Sequence, residues 1–87
     1  MAQARRKKRT RSAPHKPRGF AQAQARLAIR VRSLRKERKL TQQAAAESAS
    51  IEVKHWQLIE AGGTNPTLAT LLSIAKALDV EAFELLQ

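Results

Sequence analysis

Two groups of side chains in this 87-residue chain have the types and spacing to do chemistry. The first is a run of cations near the start: Arg5, Arg6, Lys7, Lys8, Arg9 and Arg11. Fixed positive charge at that density suits a polyanion such as a phosphodiester backbone. The second is a short mixed set at residues 52–58. Lys54, His55 and Gln57 can donate hydrogen bonds, Glu52 can only accept, and Val53 and Leu58 offer apolar contact alone.

Other chemistry is poorly provided for. There is no cysteine, so no disulfide, thiolate zinc site or cysteine nucleophile. The two histidines, His15 and His55, are too few and too far apart in sequence to suggest a metal site. No nucleophile sits beside a base, no carboxylates pair in an apolar setting, and no phosphate-binding glycine loop occurs. The sequence therefore implies neither an enzyme nor a cofactor or metal.

Charge divides the chain. Residues 1–40 carry 15 basic residues and one acid, Glu37. Residues 41–87 carry Lys54 and Lys76 against Glu47, Glu52, Glu60, Asp79, Glu81 and Glu84, a net of −4 within a total of +10. This asymmetry describes a basic arm attached to a folded domain. Residues 1–19 are expected to be disordered, because their cations repel, Pro14, Pro17 and Gly19 interrupt regular structure, and nothing there can build a core. The domain is expected at 20–87. No apolar run approaches the ~18 residues of a membrane span. The start is charged where a secretory signal would turn apolar, so a cytoplasmic protein is expected.

The elements that must position residues 52–58 are all helical. A long helix is predicted from Phe20–Gln22 to about Lys39, with Leu27, Val31, Leu34 and then Arg38 along one stripe. Thr41 is a good N-cap for a second helix running to about Ser48. Ala44, Ala45 and Ala46 let a neighbour approach closely, and residues 49–51 make a tight connection. A third helix follows from Glu52 to Glu60 or Ala61, stopped by Gly62 and Gly63. A fourth runs from Pro66 or Thr67 to Leu78, with Leu68, Leu71, Ala75 and Leu78 expected in the core. Asp79 and Val80 separate it from a last helix at 81–86. Trp56 and Ile59 should point inward, which turns Lys54, Gln57, Leu58 and Ala61 outward and leaves Val53 and His55 on the flanks. Two short helices meeting at a small-residue corner describe a helix-turn-helix over about 41–61.

Residues 27–86 resemble the Cro/phage-repressor (XRE-type) helix-turn-helix family. The matching residues are Arg35, Leu40-Thr41-Gln42, Ala46-Glu47, Ile51, Ile59-Glu60, Gly62, Asn65-Pro66, Leu68, Leu71-Leu72 and residues 75–78. The resemblance implies an all-α, five-helix domain that binds duplex DNA with residues 52–61 in the major groove. It implies base reading by Val53, Lys54 and Leu58, with Gln57 added from its chemistry. On that surface Lys54 can donate to guanine, Gln57 and His55 can reach a base edge or a phosphate, Val53 and Leu58 can only touch a thymine methyl, and Glu52 could accept from cytosine while repelling phosphate. It implies that Gln42 clamps a phosphate, that Asn65 touches phosphate from the loop, and that Arg35 and Glu60 form a structural ion pair. His55, Arg32 and Lys36, with Arg5, Arg6, Lys7, Lys8, Arg9 and Arg11, are further phosphate candidates.

Departures from the family pattern are informative. Ser50 and Lys39 stand where glycine is usual, Ala45 replaces a customary leucine, and Trp56 stands where a smaller aliphatic is common. Plainer readings compete with the sharp ones. Trp56 is core rather than a stacking platform, His55 is a half-exposed helix residue, and the arm is a solubilising tail. The last helix offers Phe83, Leu85 and Leu86 as a homodimer face. The net acidic residues 41–87 also suit a toxin, in an antitoxin role, or a polymerase subunit. The arm alone could bind nucleic acid without sequence preference. With the chain ending at Gln87, no sensor domain and no small-molecule effector are expected. The family makes a bacterial or phage, nucleoid-associated protein the expectation.

Overall fold

The computed structural model describes residues 17–87. The basic arm expected at 1–19 lies outside the described residues up to residue 16, including Arg5, Arg6, Lys7, Lys8, Arg9 and Arg11. Four α-helices follow: α1 Phe20–Glu37, α2 Gln42–Ser48, α3 Val53–Glu60 and α4 Leu68–Ala77. A 3-10 helix, Ala82–Leu86, closes the chain, and there is no strand among the described residues.

The helices start where the sequence offers a cap. The Thr41 hydroxyl accepts from the Ala44 backbone N–H at 3.0 Å, and the Thr67 hydroxyl accepts from Thr70 at 3.1 Å. Each cap satisfies one of the donors that a helix start leaves unpaired.

The helix ends share one device. After each α-helix a residue turns left-handed: Lys39 (φ 57), Ser50 (φ 59), Gly62 (φ 72) and Asp79 (φ 58). The following N–H reaches back five residues to a carbonyl: Leu40 to Arg35, Ile51 to Ala46, Gly63 to Leu58 and Val80 to Ala75. These are Schellman closures, yet only one of the four uses glycine. Leu40, Ile51 and Val80 each follow a non-glycine turn and pack against the core. That apolar anchoring offsets part of the left-handed penalty, roughly 1–2 kcal/mol for a residue with a Cβ.

Ser50 allows a direct check. Its side chain is exposed and makes no hydrogen bond among the described residues. Ser50→Gly is expected to raise stability by about 0.5–1 kcal/mol, the left-handed penalty removed less the extra unfolded-state entropy of glycine. A rise in Tm of roughly 2–6 °C would be the observable. An unchanged or lower Tm would mean that the turn is not strained.

The core gathers Leu27, Val31 and Leu34 from α1, Ala45 and Ala46 from α2, and Ala49 from the turn. Trp56 and Ile59 of α3 join Ile74, Ala75, Leu78 and Leu85. Every residue buried as a whole is apolar among the described residues. Ala45 and Trp56 are both completely buried in this cluster, so the large indole occupies a core whose α2 side chains are small. Arg38, in line with the α1 stripe, lies outside the core and pairs with Asp79 at 3.6 Å.

Three expectations need correction. Leu68 is 71% exposed and not core, and Ile74 is fully buried. Leu71, Ile74, Ala75 and Leu78 share the inward face, whereas Leu68 and Leu72, four apart, make a separate stripe on the flank. Leu85 is fully buried, so it cannot belong to an external face with Phe83 and Leu86. The fifth helix is 3-10 rather than α. Five residues are too few for a useful i→i+4 ladder, and Glu84 N–H instead closes on Glu81 O at 2.9 Å. A reciprocal Glu81–Glu84 capping box starts the segment, and Arg30 Nε donates to Glu84 O at 3.0 Å.

Candidate nucleic-acid interface

Helices α2 and α3 pack together through the Ser50 turn, and α3 also packs on α1. Trp56 and Ile59 anchor the inner face of α3. Its outer face carries Lys54, Gln57 and Leu58, all exposed. Val53 is half-buried and packs on the core, which reduces the surface it can offer. His55 is also half-buried. Glu52 is the exposed N-cap residue of α3, and its carboxylate makes no capping hydrogen bond.

Behind this face lies a polar network centred on Glu60. Arg35 Nε donates to Glu60 Oε2 at 2.6 Å and Arg35 Nη2 to Oε1 at 3.1 Å. The two side chains are only 12% and 4% exposed. Arg35 Nη1 donates to the Leu40 carbonyl at 2.9 Å, which joins α1 to the start of the motif. The Trp56 indole N–H donates to Glu60 Oε2. Gln42 Nε2 donates to Glu60 Oε1 at 3.0 Å, and Gln57 Nε2 donates to Gln42 Oε1 at 3.3 Å. One carboxylate thus ties α1, α2 and α3 together.

Burial pushes the Glu60 carboxyl up, but hydrogen bonds from Arg35, Gln42 and Trp56, with the Arg35 charge, outweigh it. The net result lies below the ordinary value near 4.5. A depressed folded value means that the unfolded chain takes up this proton first on acidification. The stability that Glu60 contributes is therefore complete above the ordinary value and is lost as pH falls through the folded one. Thermal melts should hold Tm against this group from about pH 7 down to about pH 5 and show a fall below it. If Glu60→Gln gives the same acid slope as the parent, Glu60 is not its source.

A hollow of about 410 Å³ opens beside this network, lined by Arg32, Arg35, Gln42, Gln57, Glu60 and Ala61. The structure thus brings Arg32, Gln42 and Gln57 together around the ion pair. Lys36 is exposed elsewhere on α1. Asn65 is exposed and lines a different, mostly apolar hollow of about 110 Å³ with Phe20, Gln24 and Pro66. Its loop is held to α1 by Gln24 Nε2 donating to Thr64 O at 2.7 Å. The sequence reading did not anticipate the Trp56–Glu60 and Gln42–Gln57 links. The first had a signal, since the two residues are four apart on one helix. The second had none.

Two short helices meeting at a tight turn, one displaying a polar outer face, define a helix-turn-helix domain. A family model described as a helix-turn-helix domain matches residues 26–86, and the chain belongs to that family, in its Cro/phage-repressor (XRE-type) group. The immunity repressor protein of Bacillus phage phi105 is 42% identical over 52 residues, which is 60% of this chain and 36% of the repressor. The chain thus aligns with only about a third of that relative's length. The restriction-modification controller protein C.AhdI from Aeromonas hydrophila superposes with a TM-score of 0.70 at 31% identity, covering 71% of this chain and 94% of that one. An HTH_3 family transcriptional regulator from Vibrio cholerae superposes with a TM-score of 0.71 at 29% identity, covering 75% and 36%. Among the described residues no helix is long and apolar enough to cross a membrane, and no group of three or more potential metal ligands occurs.

Proposed function

We propose that this protein is a sequence-specific duplex-DNA-binding transcriptional regulator with no catalytic activity of its own. The observation that carries the reading is α3, whose buried face is locked by Trp56 and Ile59 while Lys54, Gln57 and Leu58 stay exposed beside the start of α2. The repressor, controller and regulator names of its relatives support it. In this reading α3 enters the major groove. Lys54 donates to guanine and Leu58 meets a thymine methyl, while Glu52, free of any cap bond, favours a cytosine amine. Gln42, Asn65, His55, Arg32 and Lys36 contact phosphates. The cations of residues 1–16 add affinity without sequence preference.

Two copies act together in this reading. Phe83 (62% exposed) and Leu86 (59%) are the apolar surface of the terminal 3-10 helix, and we assign them the dimer contact. Dimer half-sites should then lie about one helical turn, ~34 Å, apart.

Selection of the full chain against a random duplex library at about 0.15 M salt tests the proposal. Enrichment of a palindrome with that spacing supports it. Lys54→Ala should then cost about 1–3 kcal/mol and relax preference at one position of each half-site. A bound pool without a motif would defeat sequence-specific regulation and leave nonspecific binding by the arm. Absence of duplex binding would favour a protein partner, such as a toxin or a polymerase subunit, for the net acidic residues 41–87.

A further inference from the structure

The hollow beside α3 contains a chain of hydrogen bonds with a fixed direction. An ionised carboxylate can only accept. Glu60 therefore compels Gln42 to turn its NH2 inward, where it donates to Oε1 at 3.0 Å. The Gln42 carbonyl oxygen is then left on the other side, and Gln57 Nε2 donates to it at 3.3 Å. A flip of the Gln42 amide would set two acceptors against each other at Glu60 and two donors against each other at Gln57. The charge at Glu60 thus sets the direction of both amides.

Unused donors remain at the mouth of this hollow. Gln42 and Gln57 each keep one amide N–H. Arg32 is exposed, and its guanidinium has no hydrogen bond or ion pair among the described residues. A cation and two amide N–H groups, against the Gln57 carbonyl oxygen as the remaining amide acceptor, suit an anion better than a base edge.

Resting on the DNA-binding reading above, we infer that Arg32, Gln42 and Gln57 form one clamp for a backbone phosphate, with Glu60 the positioning residue that orients its amides. Gln57 thereby belongs with the phosphate contacts rather than with Lys54 among the base readers. The clamp supplies register and affinity and no sequence preference.

The test is a double-mutant cycle on the full chain, read by Kd on the selected duplex and on its single-base variants. Arg32→Ala, Gln42→Met and Gln57→Ala change exposed or half-exposed side chains, and thermal melts check that each folds. Each should weaken binding roughly tenfold, by the same factor on every duplex. Arg32→Ala should also flatten the log Kd against log salt slope by about 0.9, whereas Gln57→Ala should leave the slope unchanged. Gln57→Ala should have little further effect once Gln42 is Met, because its amide has lost its orienting partner. In Glu60→Gln, if it folds at the assay temperature, the Gln42–Gln57 coupling should disappear, since an amide at 60 can accept or donate. If Glu60→Gln does not fold, the Gln42–Gln57 cycle decides alone.

A loss of preference at one base position in Gln57→Ala would overturn the clamp and return Gln57 to base reading. Additive effects of Gln42 and Gln57 would overturn the relay. Variants that bind like the parent would overturn the clamp while leaving DNA binding intact. If the parent chain binds no duplex, the functional reading falls and the clamp with it.

Discussion

Glu60→Ala is expected to lower folding stability by about 3–5 kcal/mol. The substitution takes away the acceptor for four donor contacts at once: two from Arg35, one from Gln42 and one from Trp56. It strands the Arg35 guanidinium, 12% exposed, without its counter-charge. It also leaves the indole N–H of a fully buried tryptophan without a partner. Domains of this size are stable by only about 5–10 kcal/mol, so the variant should sit near the edge of folding at 37 °C. Urea denaturation followed by the fluorescence of Trp56, the only tryptophan, measures this directly. Arg35→Met combined with Glu60→Leu should recover much of the loss, because replacing both charges by apolar groups removes the stranded charge. A loss below about 1 kcal/mol for Glu60→Ala would show that the pair behaves like an exposed salt bridge.

Deleting residues 1–16 is expected to change DNA affinity more than any single substitution in α3. The deletion removes seven cations, Arg5, Arg6, Lys7, Lys8, Arg9, Arg11 and Lys16. Among the described residues the core runs from Leu27 to Leu85, and the deletion takes none of it. Each phosphate contact contributes about −0.9 to the slope of log K against log salt. If half of the seven touch phosphate, the slope should fall by about 3 and affinity at 0.15 M salt by roughly a hundredfold. The preferred sequence should not change, because phosphate contacts carry no base information. The electrostatic need is plain from the charge map. Residues 41–87 are net −4, and Glu52 stands exposed at the start of the helix proposed to enter the groove. Fluorescence anisotropy at several salt concentrations gives both slope and affinity. An unchanged slope would mean that the arm does not touch the duplex.

Periodicity and punctuation made most of the architecture readable from the chain. Leu27, Val31 and Leu34 recur at helical spacing, Thr41 and Thr67 are caps, and Gly62 is a stop. Each reports a local preference of a few consecutive residues, so no partner is needed to interpret it. The placement of Trp56 and Ile59 inward, with Lys54, Gln57 and Leu58 outward, follows from the same 100° step. Boundaries were also close: α1 runs Phe20–Glu37 and α2 Gln42–Ser48.

Local preference did not decide burial at the edges. Leu68 and Leu85 are both leucines next to other apolar residues, yet one is 71% exposed and the other fully buried. Their difference depends on how the 3-10 helix packs on both α1 and α4 and so brings Leu85 into the core. Nor do the residue types at Lys39 and Asp79 announce a left-handed turn. That conformation is imposed by the Schellman closure and held by Leu40 and Val80 packing on the core.

The sequence by itself determined an all-helical domain, the helix-turn-helix and its exposed face, and the separation of basic and acidic halves. Only the tertiary structure decided the relay that runs from Glu60 through Gln42 to Gln57. Its two links join residues 18 and 15 positions apart on α2 and α3, and the Arg35–Glu60 pair that anchors it spans 25 positions to α1. Hydrogen bonds need their heavy atoms within about 3 Å and in line. No helical period encodes such a meeting, because it depends on how three rigid elements are set against one shared core.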